Sequence, residues 1–130
     1  MLPHERLSKV YDHALEVGVE SLSTHERDLY LIQDFIIELE MGGLSGYFYN
    51  RLPLKNEIPA AVSAMRKYGL GKLAELLSEA YRLFGGYSET DDANTWSEVL
   101  QRHDPGGRLA IIEKNIEALE DYGIYGSSIE

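Results

Sequence analysis

The sequence predicts an all-α fold, a single compact domain over residues 1–130 with six to seven helices and no sheet. Three observations carry this expectation. Apolar residues recur at i, i+3 and i+4 through most of the chain, the spacing that lines one face of a helix. Glycine or proline interrupts the pattern repeatedly, at Gly42-Gly43, Pro53, Gly69, Gly85-Gly86 and Gly123. No segment alternates apolar and polar residues over a strand's length. A chain of 130 residues, 44% of them hydrophobic, buries about 65–70% of its unfolded surface and needs no metal or disulfide to hold a core.

The first helix is expected over about residues 4–20, with Leu7, Val10, Tyr11, Ala14 and Leu15 on its apolar stripe. Ser23 and Glu26 have capping-box spacing, in which each side chain satisfies a backbone N–H of the other. They open a second helix over about 24–41, with Leu29, Ile32, Phe35, Ile36 and Leu39 inward. Gly42 and Gly43 end it, glycine taking the left-handed position without steric cost. A short helix over about 44–51 follows, placing Leu44, Tyr47, Phe48 and Arg51 near one another, and Pro53 ends it. Pro59 suits the first turn of a fourth helix, which carries Ile58, Ala61, Val62 and Met65 and closes at Gly69. Leu70, Leu73, Leu77, Ala80, Tyr81 and Phe84 mark a fifth. Tyr87 to Thr95 reads as an exposed loop, and Trp96, Val99 and Leu100 as a short sixth helix. Asp104-Pro105 reads as an N-cap with proline at the first position. The last helix then carries Leu109, Ile112, Ile116 and Leu119 to about Tyr122, and the tail from Ile124 to Glu130 is expected to be loosely held.

The segment Glu38 to Asn50 is the most distinctive string. An acidic helix runs into Gly42-Gly43-Leu44, and Tyr47-Phe48-Tyr49-Asn50 follows. In these residues the chain resembles the small all-α bacterial family of mostly uncharacterised domains named after a DNA-mimic protein. The family's pattern is Asn-Gly-Gly, a hydrophobic residue and Gln-Tyr-Phe-x-Asn; here Met41 replaces the first Asn and Gly46 the Gln. Ala64-Met65-Arg66-Lys67-Tyr68-Gly69-Leu70 fits a second, weaker family pattern, and the resemblance covers about residues 25–122. It implies an acidic protein whose carboxylates imitate DNA phosphates and occupy a DNA-binding protein. Some relatives look like immunity proteins paired with toxins. Within the motif, Gly42, Gly43, Tyr47, Phe48 and Asn50 are read as structural: glycines for the turn, aromatics for packing, Asn50 as a cap.

Charge points the same way. The chain has 22 acidic against 12 basic residues and a net charge of −10, which repels phosphates and anionic lipid and attracts basic partners. Residues 21–42 sum to −4, residues 87–103 to −3 and residues 104–130 to −4, whereas residues 61–86 sum to +2. Acids repeat at i, i+4 in Asp12, Glu16 and Glu20, in Asp34 and Glu38, and in Glu113, Glu117 and Asp121. That spacing sets carboxylates about 6 Å apart along a helix, comparable with phosphates along a strand. An ordinary solvated helix face carries the same pattern without a partner. The candidate interaction residues are Asp34, Glu38, Glu40, Glu113, Glu117 and Asp121. The basic middle against acidic flanks also suits a self-complementary homodimer.

Chemistry is poorly supported. There are no cysteines, His4, His13, His25 and His103 form no metal-binding pair, and Asp91-Asp92 reads as capping rather than a cation site. The glycines form no phosphate loop and the serines no nucleophile elbow. Met1 to Arg6 is charged where a signal peptide is apolar, and no apolar run is long enough to span a bilayer. The expectation is therefore a cytoplasmic, non-enzymatic protein with no cofactor, the remaining alternative being an enzyme whose acid–base carboxylates are paired only in space. It binds a basic protein partner, a DNA-binding protein or a toxin, and neither nucleic acid nor membrane. Tyr47, Tyr49, Tyr87, Tyr122, Tyr125 and Trp96 are the aromatic candidates for an interface.

Overall fold

The computed structural model describes residues 1–88, 90–91 and 94–130, and among them the chain is all-α, with no strand. Six α-helices follow in order: α1 (Pro3–Val17), α2 (Thr24–Arg51), α3 (Glu57–Lys67), α4 (Gly71–Arg82), α5 (Trp96–His103) and α6 (Arg108–Glu117). Short 3-10 segments lie at Val19–Ser21 and Glu120–Gly126. The predicted capping box opens α2: Ser23 Oγ accepts from Glu26 N and Glu26 Oε1 accepts from Ser23 N, each at 3.2 Å. The backbone bond to Ser23 holds the Glu26 carboxyl below its ordinary value.

At 28 residues α2 is the spine, and it bends at Gly43, where φ is 71° and ψ −176°. The expectation that both glycines end a helix is corrected here. Gly42 stays helical. Gly43 alone leaves the helix, in an extended positive-φ region open essentially to glycine, and a second arm begins at once with Leu44. Counting the two arms separately gives seven helical rods.

The spine packs against α1, α3 and α6, and α4 lies against both α3 and α6. The first arm buries Leu29, Ile32 and Phe35, the second Leu44, Tyr47 and Phe48; Ile58, Met65, Leu73, Leu77, Ile112 and Ile116 close over them. Tyr47 meets Phe35 edge-on at 4.8 Å between ring centroids, and Phe48 stacks on Phe84 at 4.9 Å. The two motif aromatics thus pack as expected.

Four boundaries differ from the sequence reading. α1 stops at Val17, where Gly18 takes a positive φ of 88°, and Leu15 is exposed while Tyr11 stacks on Tyr30. α6 begins at Arg108 rather than Pro105. Asp104 still caps it, accepting from the Arg108 and Leu109 N–H groups at 2.6 and 3.1 Å across the intervening turn. α6 also ends at Glu117 instead of Tyr122. The chain then passes through left-handed Asp121, Tyr122 and Gly123. Extending the helix would stack more acids at its negative end and would carry Ile124 away from the core. Finally, the tail is docked, not loose. Ile124 and Ile129 are buried, Ser128 N donates to Tyr68 O at 2.8 Å, and Arg6 Nε donates to Glu130 O at 2.8 Å.

Candidate functional site

The bend in α2 sorts the six acids into two groups. Folding the second arm back toward the first brings Arg51 beside Asp34, seventeen residues earlier. The guanidinium donates twice to Asp34, Nε to Oδ2 at 2.8 Å and Nη2 to Oδ1 at 2.6 Å, and Nη2 also reaches Glu38 Oε1 at 3.1 Å. Such a fork-on-carboxylate pair is the strong form of the interaction, and it pushes the Arg51 guanidinium still further above its ordinary value. Asp34 is 4% exposed. It presents no carboxylate at the surface, contrary to the reading of an exposed Asp34–Glu38 row. Asn50 is not a helix cap either: its Nδ2 donates to Glu38 Oε2 at 2.8 Å. Burial first, then the Asp34 charge, pushes the Tyr47 hydroxyl well above its ordinary value.

The other four acids meet where the bend of α2, the end of α6 and the 120–126 segment come together. Glu113 reaches from α6 to the bend, and its carboxylate accepts from Leu44 N, the first amide of the second arm. Gly43 makes this approach feasible, since a Cβ there would lie 2.7 Å from Glu113 Oε1. Tyr122 donates its hydroxyl to Glu40 Oε1 at 3.1 Å. Burial, then this bond, then the surrounding charges of Glu40, Glu117 and Asp121 push the Tyr122 hydroxyl up to about 12. Glu40, Glu117 and Asp121 are exposed and Glu113 half-buried. Among the described residues none of these four is in an ion pair.

Another carboxylate is committed internally. Asp91 is buried, accepts from Ser88 N at 3.0 Å, and pairs with Arg102 and with His103 Nε2 at 3.3 Å. The Ser88 amide first, with His103 and Arg102 behind it, holds its carboxyl below the ordinary value. This joins the loop to α5; its neighbour Asp92 lies outside the described residues. No group of three His, Asp or Glu among the described residues is placed to hold a metal ion, and no helix is long and apolar enough to cross a membrane.

Sequence reasoning missed three partners: Arg51 for Asp34, Leu44 N for Glu113, and Tyr122 for Glu40. The glycine pair was the available signal, because a bend there has to bring the two arms' side chains together. The fold and the exposed acids define an all-α, acidic protein in which Glu40, Glu117 and Asp121 lie around Tyr122 without an ion pair among the described residues. Residues 20–124 match the family described as DMP19-like protein, and the chain belongs to that DNA-mimic protein family. No curated protein and no solved structure matches it.

Proposed function

We propose that this protein is an acidic decoy that occupies the basic, DNA-binding surface of a partner protein in the cytoplasm of a bacterium. The observation that carries the reading is the corner formed by Glu40, Glu117 and Asp121 with Glu113 behind them. These carboxylates come from three segments and have no ion-pair partner among the described residues. Arg51 neutralises Asp34 and shares Glu38, so of the six candidate acids those that remain available to a partner are the ones at the corner. Family membership supports the same reading. Association would be driven by counterion release and electrostatic steering, with nucleic acid excluded by occupancy and no bond made or broken.

The test is capture of proteins from the native bacterium at low salt, with elution along a salt gradient. The expected outcome is a basic DNA-binding protein whose binding weakens steeply with salt and competes with DNA. The combined substitutions Glu40→Gln, Glu117→Gln and Asp121→Asn should release it at lower salt. Binding indifferent to salt and to these substitutions refutes the reading. A second reading, an immunity-type inhibitor of a toxin, is favoured by Met41 and Tyr49, which are 82% and 58% exposed. It expects a tight complex that survives high salt and breaks on truncating those two side chains.

A further inference from the structure

We propose that the cleft between the end of α2 and the start of α5 receives a single arginine side chain of the basic partner, an inference that rests on the decoy reading and supplies its point of anchorage. The cleft holds about 300 Å³, at the bottom of the range for small-molecule sites and suited to one long side chain. Its walls are aromatic. Tyr49 and Trp96 meet as a corner, with ring centroids 5.6 Å apart and planes at 69°; Pro53, Tyr87 and Val99 also line it, as does Asp91, whose carboxylate is paired with Arg102 and His103. Trp96 is fixed from behind, stacked on Phe84 and donating its indole N–H to Ser45 Oγ at 2.9 Å.

The polar groups select the occupant. Asn50 and Asn94 both line the cleft, and both have an amide nitrogen committed elsewhere: Asn50 to Glu38 Oε2, Asn94 to Thr90 O at 3.3 Å. A carboxylate and a carbonyl can only accept, which fixes the orientation of both amides. What each amide keeps for a ligand is its carbonyl oxygen, an acceptor, beside one further N–H. Behind Asn50 the two carboxylates Asp34 and Glu38 share the one guanidinium of Arg51, leaving one net negative charge. Aromatic faces, acceptors and negative potential together fit a flat cation that only donates. A guanidinium has five N–H donors, no acceptor and a face that stacks on aromatic rings.

Trp96 is the sole tryptophan, so its fluorescence reports the cleft directly. The probe is a blocked, glycine-flanked peptide carrying one arginine, titrated beside the same peptide with citrulline, which keeps the shape and loses the charge. The expected result is a saturable change in Trp96 emission with arginine and binding roughly three- to fivefold weaker with citrulline, the scale of a cation–π contact at a half-exposed site. Tyr49→Ala, at an exposed position, should weaken the arginine peptide by a similar factor with unchanged circular dichroism. No saturable response, an equal response to citrulline, or unaltered affinity in Tyr49→Ala overturns the proposal. Salt-sensitive partner capture without a peptide response sinks the cleft alone. An intact peptide response with salt-insensitive capture sinks the decoy reading and leaves the cleft as an arginine site.

Discussion

Gly43→Ala is the sharpest perturbation of this fold, because two separate demands meet at one position. The backbone at φ 71° and ψ −176° lies in a region that costs a residue with a Cβ about 1–3 kcal/mol. The added Cβ, 2.7 Å from Glu113 Oε1, also displaces that carboxylate. Moving a flexible side chain is cheap in itself, but here it removes the cap on Leu44 N, worth about 1–2 kcal/mol. The unfolded chain loses some freedom in the substitution, which returns about 0.4–1 kcal/mol. The net expectation is a loss of about 2–4 kcal/mol, a large share of the roughly 5–15 kcal/mol that holds a domain together. Urea unfolding followed by circular dichroism measures it. Glu113→Ala alone should cost about 1–2 kcal/mol, and in that background Gly43→Ala should cost less than in the native protein, since the displaced carboxylate is already gone. Gly42→Ala is the control. Gly42 is helical with nothing within 4 Å of an added Cβ, so this change should stabilise by up to about 1 kcal/mol. A Gly43→Ala loss under about 1 kcal/mol, or strict additivity with Glu113→Ala, refutes the account of the bend.

Other perturbations probe the remaining contacts. Arg51→Ala strands Asp34 as a buried, unpaired charge and should destabilise by about 3 kcal/mol, the lower end for a broken buried pair because Arg51 itself is partly exposed; urea midpoints decide, and a loss under about 1 kcal/mol contradicts the pairing. Ile129→Ala should cost about 2–3 kcal/mol by removing a buried side chain, whereas a loosely held tail predicts no change. Tyr122 is kept neutral up to about 12 against an unfolded value of 10.0, so the stability it contributes is complete below pH 10 and is lost as pH rises toward 12. Tyr30 and Tyr47 are pushed in the same direction, and urea midpoints should fall across that window. Glu40→Gln should bring the Tyr122 hydroxyl down, read as tyrosinate absorbance against Tyr122→Phe; an unmoved titration argues against the acidic corner.

Much of the architecture was legible because helical order is local. The capping box at Ser23 and Glu26, the apolar stripe of α4 and the aromatic packing of Tyr47 and Phe48 follow from spacings of three and four residues. The errors lie where a distant partner overrides the local pattern. Leu15 has the right spacing for the core but is exposed, whereas Tyr11, four residues earlier on the same stripe, stacks on Tyr30. The row Glu113, Glu117 and Asp121 obeys the i, i+4 rule, yet the helix stops at Glu117 so that Ile124 and Ile129 can be buried. Asp104 caps α6 as its identity suggests, but from one turn further upstream.

The sequence by itself determined that this protein is helical, acidic and bent at a glycine, because composition, periodicity and the absence of a Cβ are properties of residues and their near neighbours. Only the tertiary structure decided which acids remain available. Asp34 and Glu38 are turned inward to Arg51, and Glu113 is tied to a backbone amide 69 residues away. Glu40, Glu117 and Asp121 are left together at the surface around Tyr122. The physical reason is that a carboxylate's role depends on which cation or N–H lies within about 3 Å of it. Across a bend and between helices, that distance is set by how the chain packs rather than by the order of its residues.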